Sequence, residues 1–107
     1  MSLDFSLTRI QETSVFDVNI THNLGTMAGK AGIYYALWRP EEKGLEFASE
    51  IIPILEKGLK KLKAKPKYYK KFDAENGWGT YKHFVPFVEE VLEACKRYPE
   101  AKISVSR

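Results

Sequence analysis

Two stretches of this chain carry residue types suited to recognition chemistry: Asn76-Gly77-Trp78-Gly79-Thr80-Tyr81 and Asn19-Ile20-Thr21-His22-Asn23. In the first, two glycines flank a tryptophan. Glycine admits positive φ and close backbone approach, so the segment is expected to hold a fixed shape and to pin Trp78 in one place. One reading closes this loop over a ligand, with Trp78 stacking on a flat ring and Asn76 exchanging hydrogen bonds. The other makes Trp78 a core plug and Asn76-Gly77 a tight turn. In the second stretch, Asn19, Thr21, His22 and Asn23 cluster where a strand gives way to a helix. Free N–H groups and the positive end of the helix dipole favour an anion there, so a phosphate, a carboxylate or a sugar suits the site. Ordinary helix capping, with His22 on the surface, uses the same residues.

Catalytic chemistry has little to build on. His22 and His83 are the only histidines, and neither has a metal-ligand partner three or four residues on. Cys95, the only cysteine, excludes an internal disulfide and a cysteine-based metal cluster. It falls on the apolar stripe of a helix, as a buried structural thiol does. There is no phosphate-binding glycine loop, no dinucleotide fingerprint and no nucleophile elbow. An Asp17–His22 acid–base pair is the weakest of these readings. No catalytic residue, cofactor or metal is assigned.

Lys57 to Lys71 holds eight lysines and no acidic residue, interleaved with Tyr68 and Tyr69. Lys60, Lys61, Lys63, Lys65, Lys67, Lys70 and Lys71 with these rings suit single-stranded nucleic acid. A solvated helix end suits them too, and the run has no arginine, the better reader of phosphate and base. Charge is uneven overall: residues 1–50 carry 4 Lys/Arg against 7 Asp/Glu, and residues 51–107 carry 13 against 7. Such asymmetry suits an anionic partner or the self-association of opposite faces.

The elements that must position these residues follow from periodicity. Phe5 to Ile10 and Val15 to Ile20 alternate with period two, giving strands at about 4–10 and 14–20 joined through Gln11-Glu12-Thr13-Ser14. The first strand is open between pairing within the chain, pairing with a neighbour and acting as an arm. Phe16, Val18 and Ile20 share one face; Val15, Asp17 and Asn19 share the other. A helix capped by Thr21 or Asn23 is expected to run to Trp38, with Gly25, Gly29 and Gly32 on one close-packing stripe. A second helix is expected from Leu45 to Lys63, with Pro53 kinking it or marking its true first turn. Pro66 to Phe72 suits a short helical turn, and Asp73 to Gly79 is loop. A third helix runs from Tyr81 to Tyr98 with Thr80 as cap. Ala101 to Arg107 alternates as a closing strand, Ile103 and Val105 inward.

The expected fold is therefore α+β: a single domain of 107 residues with three principal helices on one face of a small antiparallel sheet. At 44% hydrophobic the chain can bury a modest core. It has no apolar run near the roughly 18 residues of a membrane span, so no membrane partner is expected. Met1-Ser2-Leu3-Asp4 lacks the basic and apolar regions of a secretion signal, and with a single cysteine this predicts a cytoplasmic setting.

Asn19 to Leu24, Leu37-Trp38-Arg39-Pro40-Glu41-Glu42, Asn76 to Tyr81 and the ending Ala101 to Arg107 together resemble a group of short uncharacterised bacterial and phage-type proteins. The likeness covers most of the chain from Val15 onward. It implies a compact cytosolic protein and carries over no catalytic residue. A phage or prophage origin would imply binding of a small molecule or protein of the host. The leading expectation is a non-enzymatic binding domain for a small polar or anionic ligand held by Asn19, Thr21, His22, Asn23, Asn76, Trp78 and Tyr81. The alternatives are a nucleic-acid accessory protein using the lysine run and a self-associating interaction module built on the glycine-rich helix. An enzyme ranks last.

Overall fold

A computed structural model describes residues 2–9 and 14–107. Among the described residues, strands β1 (Ser2–Thr8), β2 (Ser14–Thr21) and β3 (Lys102–Ser106) form one antiparallel sheet in the order β2-β1-β3. Helices α1 (Gly25–Ala31), α2 (Tyr34–Trp38), α3 (Ala48–Ala64), α4 (Pro66–Lys70) and α5 (Tyr81–Arg97) complete an α+β fold, with 3-10 turns at His22–Leu24 and Pro40–Lys43. The expected hairpin link lies, apart from Ser14, outside the described residues, as does Ile10.

β1 is the central strand and pairs within the chain on both sides. It begins two residues earlier than its alternation at Phe5 suggests, because Leu3 continues the inward set. Leu3, Phe5 and Leu7 are fully buried and face Ile20, Val18 and Phe16 across β2. Val105 and Ile103 face Phe5 and Leu7 from β3. The opposite face carries Asp4, Ser6, Asp17, Asn19, Ser104 and Ser106. A sheet covered on one side only takes this apolar-in, polar-out pattern.

α3 and α5 pack against each other and run antiparallel, since Lys63 reaches Glu89 while Glu56 reaches Lys96. These pairs are about half exposed and contribute little. The packing itself rests on Ile51, Leu55 and Leu62 against Phe84, Val88, Val91 and Cys95, all fully buried. α3 starts at Ala48 and not at Leu45, because residues 46 and 47 extend along β3. Ile103 N–H donates to the Glu46 carbonyl, and Phe47 bridges Lys102. The first free N–H groups of α3, on Ala48 and Ser49, donate to the carbonyls of Ala101 and Pro99. The Glu50 carboxylate accepts from the N–H groups of Phe47 and Glu46, which hold it below the usual carboxylate range.

Two expectations are corrected. Of the two readings of Pro53, the first-turn one is overturned: it is the sixth residue of α3, as Pro86 is of α5. Each leaves one carbonyl near the helix start, on exposed Ser49 and Lys82, free to bond water. The helix expected to run unbroken to Trp38 stops at Ala31. Gly32 takes φ +79°, a left-handed cap, and the chain turns before α2. The glycine stripe therefore does not form: Gly32 is the cap, Gly29 has open space beside it, and Gly25 lies against Tyr34.

Burial pushes the Cys95 thiol from 9.0 up to about 12. A raised folded pKa means that the contribution of the protonated thiol is complete below pH 9. It is lost as the pH climbs towards 12, at no more than about 1.4 kcal/mol per pH unit. Urea midpoints of the wild type should therefore fall more steeply above pH 9 than those of Cys95→Ala. Parallel slopes would refute this linkage.

Candidate functional site

Where β2 ends, Thr21 caps the 3-10 turn, its Oγ1 accepting from Asn23 N–H at 3.3 Å. This turn faces the loop that leads into α5. The loop is internally tied: Gly77 N–H donates to the Ala74 carbonyl, Ala74 N–H to the Gly79 carbonyl, and Trp78 N–H to Asn76 Oδ1 at 2.9 Å. Gly77 and Gly79 have φ of +78° and +112°, which side-chain-bearing residues rarely adopt. Gly79 also needs its missing side chain for space, because a β-carbon there would stand 3.0 Å from both Asn23 and Thr21. The loop thus docks its backbone on the turn, and Asn23 Nδ2 donates to the Trp78 carbonyl at 2.8 Å.

Between turn and loop lies a pocket of about 740 Å³. Asn19, Thr21, Asn23, Asn76 and Trp78 all line it, together with Ser2 and His83. Trp78 is 72% exposed and stands at the pocket, so the core-plug reading fails. The core tryptophan is Trp38, 1% exposed.

Two expected site residues go elsewhere. His22 Nδ1 accepts from Trp38 Nε1–H at 2.8 Å, which turns its ring towards α2 and out of the pocket. Tyr81 donates its hydroxyl to the Leu62 carbonyl at 2.8 Å and so ties α5 to α3. The Asp17–His22 pair is not assembled either: Asp17 accepts from the Ser14 hydroxyl at 2.6 Å on the outer face of the sheet.

Two pocket residues, His83 and Ser2, escaped the sequence reading. Thr80 holds the N-cap position of α5 but its side chain caps no backbone N–H; its Oγ1 lies 2.8 Å from His83 Nδ1 instead, which corrects the expected cap. Ser2 reaches the pocket because it pairs with Thr21 across the sheet, a register no local pattern announces.

Around the turn where an anion is expected, and at the start of α5, part of the donor set is already used. Thr21 already accepts from Asn23 N–H, and Asp73 places its own carboxylate at the start of α5, accepting from Tyr81 N–H at 2.7 Å. Among the described residues, no lysine or arginine lines the pocket. What remains is hydroxyl and amide chemistry around an exposed indole face. Among the described residues, no three of His, Cys, Asp and Glu are grouped to hold a metal ion.

The lysines of the run are exposed and make different contacts. Lys63 is paired with Glu89 at 2.9 Å, Lys70 lies over the Tyr81 ring and Lys71 over the Tyr68 ring. Lys60 and Lys67 are exposed on α3 and α4, and Lys61 and Lys65 share a different hollow. No helix among the described residues is long and apolar enough to cross a membrane. Comparison with protein-family models, curated proteins and solved structures gives no match.

Proposed function

We propose that the chain is a non-enzymatic binding domain for a small, polar, uncharged molecule with one flat face, seated between the Asn19–Asn23 turn and the Asn76–Gly79 loop. The supporting observation is Trp78. A large aromatic side chain left 72% exposed costs hydration, yet the loop beneath it is fixed by two positive-φ glycines and tied to Asn23. Asn19 and Asn23 have amide oxygens, Asn76 its amide N–H groups and Thr21 its hydroxyl proton beside that face, and among the described residues the lack of a lining lysine or arginine narrows the ligand from anionic to neutral. The proposed setting is cytoplasmic. The likeness to phage-type proteins suits a binding role and assigns no residue.

A thermal-shift panel of neutral oligosaccharides and nucleosides, with sugar phosphates and nucleotides beside them, tests this reading. A ligand at 100 times its Kd should stabilise the protein by about 2.7 kcal/mol, a rise of several degrees. Trp78→Ala should keep the unliganded midpoint and lose the rise. A variant that melts early would return Trp78 to a structural role, and shifts from anions alone would refute the neutral ligand.

A further inference from the structure

The fold builds a second concave site, away from Trp78, that the lysine-rich segment does not form alone. α1 brings Lys30 to a hollow of about 380 Å³ whose other walls are Lys61, Lys65, Tyr68 and Tyr69. Lys65 is the cap residue just past the end of α3, its N–H donating to the Lys61 carbonyl at 3.3 Å, so both lysines stand at that end of the helix. Lys30 joins them because Gly32 ends α1 where it does. Lys61 Nζ lies against that cap, 3.8 Å from where a β-carbon of Gly32 would stand. Lys30 Nζ is steadied over the Phe72 ring, 5.9 Å from its centroid.

Among the described residues, no acidic residue lines the hollow and none of the three ammonium groups has an ion-pair partner within 4.0 Å. Three like charges drawn together repel one another, and an anion seated between them relieves that repulsion. Tyr68 supplies the second element. It is 41% exposed at the hollow, its ring is set steeply against Tyr69 and Phe72, with centroids 5.0 and 5.5 Å away, and Lys71 Nζ lies over it, 6.0 Å from its centroid. An exposed ring beside ammonium groups suits a base next to its phosphate.

We infer that Lys30, Lys61, Lys65 and Tyr68 form a nucleotide-unit site, the lysines taking phosphate and Tyr68 stacking on the base. The unit belongs to a single strand or to a free nucleotide, and the experiment separates the two. Lys63 is the internal control: it sits within the same basic run, yet it turns away to Glu89.

The experiment is fluorescence anisotropy of a labelled twelve-residue oligothymidylate with the full chain, at 50 and 200 mM NaCl. Competitors are UMP and inorganic phosphate. Three phosphate contacts on a single strand predict an affinity loss of roughly twentyfold between the two salt concentrations. Lys30→Gln and Lys65→Gln should each weaken binding and reduce that loss to roughly sevenfold, whereas Lys63→Gln should change neither. Tyr68→Ala should weaken binding without altering the salt dependence. UMP competing as tightly as the oligonucleotide binds would identify a free nucleotide, and much weaker competition would identify a strand; both support the site. Equal losses in all three lysine variants would show diffuse attraction and overturn it. So would absence of binding at 50 mM NaCl, or phosphate competing as well as UMP with Tyr68→Ala unaffected.

Discussion

Trp38→Ala should destabilise the protein by about 3–5 kcal/mol, a large part of the roughly 5–15 kcal/mol available to a domain of this size. The indole is 1% exposed and lies parallel to the Tyr34 ring, 5.5 Å between centroids. Its removal opens a cavity, ends that stacking and leaves His22 Nδ1 without the donor it has at 2.8 Å. The hydrogen bond from Arg107 goes to the Trp38 backbone carbonyl, which the substitution keeps, so the expected loss comes from the indole alone. Urea unfolding should show a midpoint lower by about 1–3 M at an unchanged slope. Trp38→Phe should recover most of it, since volume is nearly kept and only the hydrogen bond is lost. A cost below about 1 kcal/mol for the alanine variant would mean that the indole is not a core element. Trp78→Ala is the counterpart, the same substitution on an exposed ring with little expected effect on stability.

Gly58→Val should cost about 3 kcal/mol or more, although helix propensity alone favours almost any residue over glycine. A β-carbon at Gly58 would stand 2.1 Å from Ile33 Cγ2 and 3.2 Å from the Ala31 carbonyl. Ile33 has no room to retreat: it is fully buried, and β-branching leaves it few rotamers. Valine adds two further methyl groups to the same gap, so α3 must move off the corner between α1 and α2. Gly29→Ala is the matched comparison. No atom lies within 4 Å of a β-carbon there, so the better helix former should stabilise by about 0.5–1 kcal/mol. Opposite signs at the two glycines, in denaturant or thermal unfolding, are the expected result. Trimming Ile33 to Ala should partly rescue Gly58→Val, because it removes the atom in the way. Additive losses in the double variant would refute the steric account.

The long amphipathic helices were legible because each repeats its signal over several turns. Phe84, Val88, Val91, Leu92 and Cys95 mark one stripe, and all five are buried in α5. The strands were legible from alternation, and the one-sided sheet from the polar residues between. At the site, the paired glycines around Trp78 pointed correctly to a fixed loop. The fold brings Asn19, Thr21 and Asn23 from the end of β2 to one pocket with Asn76 and Trp78. His22 and Tyr81 were misplaced because their polar atoms are claimed by Trp38 and Leu62, distant in sequence. Lys30 was invisible as part of the basic surface for the same reason: it arrives from another helix.

Composition and periodicity by themselves determined an α+β domain, its two long helices, its sheet faces and a loop that must be stiff. These are properties of local sterics and of which side of an element is apolar, so a single chain segment encodes them. Only the tertiary structure decided which tryptophan is core and which stands at the pocket, and which glycine is there for its dihedral and which for its lack of a side chain. Gly32 serves a positive φ, whereas Gly58 yields space to Ile33. Glycine and tryptophan read alike in either role, because what separates the roles is a partner atom supplied by another part of the chain.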